Sequence, residues 1–216
     1  MRRVLKMIAG LLAMALIVGG AEWARERFSQ SRSDLRVFDA AAIGKLDTDM
    51  WRSYYERRPF RLFQQMITLL RTQYGMPPLE ALTNAYRAAH AAFVFKDGRS
   101  RADYEKALPD LEAYYGDIAA HSGNAFDAHR AASLELEWWI VHRERPPDLP
   151  SALAALQAEV YRLPSKRFLE HARLRAQAMD LRDGKGSAIT EADWQHIGEL
   201  LDASWKSLHG AVTAER

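Results

Sequence analysis

No cysteine occurs in the 216 residues. Disulfide frameworks, zinc–thiolate sites, iron–sulfur clusters and thiol catalysis are therefore excluded. Turn-forming residues are scarce, with 12 Gly and 8 Pro, too few for the many tight turns of an all-β fold. The body also carries no excess of one charge sign. The chain has 30 Lys+Arg against 28 Asp+Glu, and residues 1–23 account for the whole surplus through Arg2, Arg3 and Lys6 against Glu22. From residue 24 onward 27 bases face 27 acids. Nucleic-acid binders gather a basic excess on one face, because phosphate neutralisation supplies much of their affinity. No nucleic-acid partner is expected here. Clusters such as Arg57-Arg58 and Arg143/Arg145 are broken by Glu56 and Glu144 and read as solvated helix surface.

Catalytic signatures are missing too. There is no Gly-x-Ser-x-Gly elbow, Walker loop, Gly-x-Gly-x-x-Gly or His-Glu-x-x-His motif, so nothing nominates a reaction or a cofactor. What remains is ordinary globular composition, 48% apolar and 27% charged, of a length that suits one large domain with an appendage.

The appendage is the amino terminus, MRRVLKMIAGLLAMALIVGGAEW. A basic start precedes an uncharged run from Met7 to Ala21. One reading is a secretory signal peptide, with Gly19-Gly20-Ala21 as the cleavage site. The other is an uncleaved signal anchor. Residues 7–23 would span roughly 25 Å as a helix, with Lys6 snorkelling to one interface and Trp23 sitting at the other. Residues 1–27 are thus a membrane anchor or signal peptide, 28–33 a short tether and 34–216 the body. The basic leading flank keeps the amino terminus in the cytoplasm. The expected location is the inner membrane, single-pass, with the body in the periplasm. Secretion after signal cleavage is the alternative.

The body reads as all-α, a single antiparallel bundle of seven or eight helices. No period-2 alternation is sustained, and turn signals fall at helical spacing. Helices are expected over residues 35–58 (capped at Ser33 or Asp34, with Gly44 as a weak point), 60–74, 79–96, 100–121, 126–145, 151–162, 166–182 and 190–214. Ser100 with Asp103 and Thr190 with Asp193 have capping-box spacing. Pro109 should kink or split its helix. Core stripes are expected at Phe63, Met66, Ile67, Leu70 and Tyr74, and at Leu82, Ala85, Tyr86, Ala89 and Phe93. The last helix offers Trp194, Ile197, Leu201, Ser204 or Trp205, Leu208 and Val212.

Glu135 is the sharpest candidate for chemistry. It shares one helical face with Ala128, Ala131, Ala132, Trp138, Trp139 and His142. An inward carboxylate needs a partner, and Arg175, in an apolar stripe of its own, is the natural one. A metal reading would join Glu135 and His142 with His90. Helical di-metal sites use Glu-x-x-His, and no such spacing occurs. A buried ion pair fixing helix register is therefore the expectation. The aromatics Trp51, Tyr54 and Tyr55 read as core or pocket lining. The adjacent Trp138 and Trp139 point about 100° apart, so one of them could mark a partner-binding surface.

The segments MWRSYYERRP, RADYEKALPDLEAYYG and LELEWWIVHRER resemble stretches of an uncharacterised bacterial family of helical proteins with a hydrophobic amino terminus. The resemblance implies membrane attachment and helices, and no activity. The expected function is a membrane-tethered, exported helical domain that binds or organises a protein partner in the cell envelope. The alternative is a bundle enzyme or carrier holding a metal, haem or small apolar ligand near Glu135 and His142.

Overall fold

The computed structural model describes residues 34–144 and 148–214. The leader and tether lie outside them. Among the described residues the chain is entirely helical, with eight helices longer than one turn and no strand. No helix among them is long and apolar enough to cross a membrane.

We number the helices α1 (Ala40–Tyr55), α2 (Pro59–Gln73), α3 (Pro78–Asp97), α4 (Arg101–Tyr104), α5 (Leu108–His121), α6 (Ala128–Glu144), α7 (Leu149–Tyr161), α8 (Leu169–Lys185) and α9 (Glu191–Thr213). Their ends follow the local chemistry. Asp39 caps α1 by accepting from the Ala41 and Ala42 amides, each at 3.0 Å. This corrects the expected start, because the capping carboxylate sits five residues after Asp34. Pro59 and Pro78 open α2 and α3 in the first turn, where a missing N–H costs nothing. Ser100 caps α4 as its spacing predicts. Pro109 does split its segment: a 3-10 turn, Glu105–Ala107, separates α4 from α5, which carries the proline in its first turn. Ser165 begins a 3-10 turn, Ser165–Phe168, that leads into α8. Thr190 and Asp193 form the reciprocal capping box of α9.

Packing follows chain order. Each long helix packs against its long-helix neighbours in sequence, with α3 against α5, and α9 closes the circuit against α1. Gly44 lets α1 and α9 approach, since a Cβ there would lie 2.9 Å from the Asp202 Cα. The glycine expected to weaken α1 thus sits at its closest contact. The expected α9 stripe is buried, with Ser204 rather than Trp205 as its inward polar member.

The third helix overturns expectation. Its buried residues are Ala81, Asn84, Ala85 and Ala91. Of the expected core stripe only Ala85 is buried, while Leu82, Tyr86 and Phe93 are exposed. Small side chains let α3 sit close to its neighbours, and its polar side chains bind inward. Glu80 pairs with His121 and Arg87 with Asp117. Asn84 donates to the Tyr114 carbonyl at 3.1 Å, and His90 Nδ1 lies 2.6 Å from Asp110. The first three of these, spaced at helical intervals, turn the polar face of α3 toward α5 and its large apolar face to solvent, and the exposed His90 lies at the edge of that apolar face.

Candidate functional site

Two places depart from the ordinary rule of apolar inside and polar outside. One is a polar centre between α1, α5, α6, α8 and α9. The other is the outward face of α3.

The polar centre begins at Asp47, buried on α1 in an apolar stripe with Ile43 and Trp51. Its carboxylate pairs with Arg175 of α8, with a second contact at 3.5 Å, and accepts from the Trp205 indole N–H at 2.9 Å. The Arg175 guanidinium lies 5.4 Å from the Trp51 ring centroid. Burial opposes its charge, but Asp47, with the nearby Glu135 and Tyr74, outweighs burial and raises its pKa. Arg175 therefore takes Asp47 as its ion-pair partner, not Glu135. The reason is satiation: Glu135 already accepts from the Tyr115 hydroxyl and the Trp139 indole N–H, each at 2.8 Å.

Glu135 is half-buried, and desolvation raises its pKa against the pull of the surrounding donors and of Arg175. Its own burial, with the Glu135 charge added, pushes the Tyr115 hydroxyl well above the usual tyrosine range. The Trp138 N–H is buried near that carboxylate but outside hydrogen-bonding alignment. The centre holds two carboxylates against one guanidinium, so it carries one unbalanced acid that hydrogen bonds stabilise.

The other candidates scatter. His142 Nε2 lies 3.2 Å from Asp183, and His90 is exposed and paired with Asp110. Glu135, His142 and His90 are each engaged with different partners. No group of three His, Asp or Glu side chains that could hold a metal exists among the described residues. Of the aromatics Trp51, Tyr54 and Tyr55, the two tyrosines meet edge to face with ring centroids 5.1 Å apart. Trp51 faces Arg175, Tyr54 is exposed, and Tyr55 packs under the Arg182 guanidinium, 3.7 Å from its ring, and beside Trp194. Trp138 and Trp139 are both partly buried against the core, so neither stands out as a surface mark.

The face of α3 is simpler and larger. Leu79, Leu82, Tyr86 and Phe93 are 63%, 44%, 61% and 60% exposed. Their spacing of three, four and seven residues puts them on one side of the helix. Thr83, Ala89 and His90 lie between them, and His90 stacks on Tyr86 with ring centroids 5.9 Å apart and planes 12° from parallel. The two charged residues within this stretch, Glu80 and Arg87, are engaged with α5. A clustered apolar face of this kind is a candidate docking surface.

Asp47 and the α3 face were both missed at the level of sequence. For Asp47 the signal was an acid at i+4 from Ile43 and i−4 from Trp51. For α3 it was the alanine stripe running opposite the large residues. No family model, curated protein or solved structure matches the chain.

Proposed function

We propose that this chain is a membrane-tethered helical binding domain of the cell envelope that docks a protein through the outward face of α3. The observation that carries the reading is the exposed stripe of Leu79, Leu82, Tyr86 and Phe93. Leaving such side chains in water forgoes roughly 25 cal/mol for each Å² of apolar surface that burial would remove. Glu80, Asn84 and Arg87, on the other side of the helix, fix that orientation. The tether rests on the basic start and the uncharged run from Met7 to Ala21, which suit lipid or the export machinery. Docking at a membrane surface gains from the tether itself, which confines the domain and raises its effective concentration near other envelope components.

A photo-crosslinking benzophenone residue at position 86 of the full-length protein, in native membranes, tests the docking face. The expected result is a discrete heavier adduct that the same residue at position 173, on exposed α8 surface, does not give. Absence of any adduct at position 86 and at position 93 overturns the reading.

A further inference from the structure

The geometry points to a ligand pocket inside the helix circuit, built to hold a small organic ammonium ion against Glu135. It is independent of docking by α3. Helices α2 and α6 are not neighbours in the circuit, so side chains that approach each other from these two helices do so in its interior. Tyr74, the C-cap of α2, lies within electrostatic reach of Glu135 on α6, Arg175 on α8 and Asp47 on α1. Tyr114 of α5 is within reach of both Tyr74 and Glu135. Tyr74, Tyr114, Glu135 and Arg175 are half-buried rather than buried, and Arg175 keeps 18% of its side-chain surface accessible. Yet desolvation is the largest influence on each of these four groups. Surface that is accessible but desolvated faces an internal space. The inward stripe of α2 agrees: Phe63, Met66 and Ile67 are half-buried, while Leu70 in the same stripe is 2% exposed.

The lining decides the class of ligand. Two aromatic corners flank Glu135. The Trp138 and Trp139 rings stand at 89° with centroids 6.2 Å apart, and the Tyr114 and Tyr115 rings at 90° with centroids 5.1 Å apart. One member of each corner, Trp139 and Tyr115, donates to the carboxylate. A carboxylate has about four acceptor sites, so Glu135 can still receive a ligand. Arg175 does not balance it, because Asp47 already neutralises that guanidinium. The surplus charge in the pocket is therefore the Glu135 carboxylate. An alkylated ammonium ion matches both features: its charge balances Glu135, and its hydrocarbon shell suits aromatic rings, whose faces attract cations. An anion would meet the carboxylate with like charge, and a neutral apolar ligand would leave that charge without a counterion. The Trp138 N–H, buried without a hydrogen-bond partner, is available to a hydroxyl or carbonyl oxygen on the ligand.

Choline and 3,3-dimethylbutan-1-ol have one shape and differ in charge, and 3,3-dimethylbutanoate carries the opposite charge. Each is titrated into the full-length protein held in phosphatidylglycerol nanodiscs, with tryptophan fluorescence as the readout. Choline should give a saturable change and bind about tenfold or more tighter than the alcohol, and the carboxylate should give no response. Glu135→Gln should still bind the alcohol but lose the preference for choline. If that variant does not fold, the ranking of the three isosteres in wild type decides alone. Ile67→Phe should weaken choline binding several-fold by filling the pocket, with the melting temperature kept or raised. The inference is overturned by the absence of any saturable response, by equal affinity for choline and the alcohol, or by tighter binding of the carboxylate. A Glu135→Gln protein that keeps its preference for choline also overturns it. So does a fall of about 5 °C or more in the Ile67→Phe melt, the mark of an overpacked, already filled core.

Discussion

Helices α3 and α9 are built from similar material and oriented oppositely. In α9 the large apolar residues Trp194, Ile197, Leu201, Leu208 and Val212 point inward. Its inward polar member is satisfied: Ser204 Oγ lies 2.8 Å from His171 Nδ1 and donates to the His171 carbonyl at 3.0 Å. In α3 the alanines and the polar side chains point inward and the large residues do not. Burial of apolar area therefore does not fix helix rotation alone. A buried polar group that finds its partner releases the apolar face for other use, and an unpartnered one would cost about 1–3 kcal/mol. The α9 side of the molecule buries its large apolar residues, and the α3 side leaves them exposed.

The sharpest way to break this contrast is at Asp47. Asp47→Ala leaves the Arg175 guanidinium buried without its carboxylate and should destabilise by about 3–5 kcal/mol in chemical denaturation. The paired replacement Asp47→Leu with Arg175→Met should lose less than Asp47→Ala alone, because both charges go together. Equal or additive losses would mean that the pair is not coupled. If Asp47→Ala costs under about 1 kcal/mol, well below the usual loss for a broken buried pair, the polar centre is not what anchors α1 to α8.

The boundary and period signals of the chain were legible because they are local. The Ser100 and Thr190 caps, the split at Pro109 and the inward stripe of α9 all follow from residues within one helix. What could not be read is which of two faces a helix turns inward when the alanine-rich face is also the one that carries the charges. In α3 the alanine stripe and the leucine–aromatic stripe have the same period, and the choice is made by α5, through His121, Tyr114, Asp117 and Asp110. The Glu135 environment illustrates the same limit. Its inward tendency was visible, but its partners Tyr115 and Trp139 offered closer donors than Arg175. Long-range pairing decides such cases, and a single sequence does not contain it in periodic form.

A second, smaller effect is expected from acid. His171 is fully enclosed on α8, and desolvation with the nearby Arg175 charge lowers its pKa to about 4. The unfolded chain protonates it near the ordinary value of 6.5. Between these pH values the unfolded state binds the extra proton, so stability rises with pH across the window. The contribution is complete above pH 6.5 and is lost as pH falls toward 4, about 3 kcal/mol in all. Glu135, whose pKa burial raises, works in the opposite sense, since the folded state holds its proton longer. Urea melts from pH 7 to pH 4 should show the decline in wild type and a flatter profile in His171→Gln. A wild-type profile no steeper than that of His171→Gln would mean that His171 is reached by solvent.

The smallest effect on folding is expected where the apolar side chains are largest. Leu82→Ser and Phe93→Ser remove exposed groups that touch little of the core. Each should change the stability of the monomeric body by no more than about 0.5 kcal/mol, measured at concentrations too dilute for association. At higher concentration the same variants should lose any dependence of melting temperature on protein concentration that wild type displays, because mass action stabilises only a chain that associates. The two measurements separate packing from contact. A loss of several kcal/mol in the dilute monomer would show that α3 buries these residues in the folded body, and the contrast with α9 would vanish. A neutral dilute monomer whose concentration dependence persists would place association elsewhere on the surface. Only neutrality in the monomer together with loss of the concentration effect assigns the apolar face of α3 to binding, and that combination is expected because Glu80, Asn84 and Arg87 hold this face away from the core of its own body.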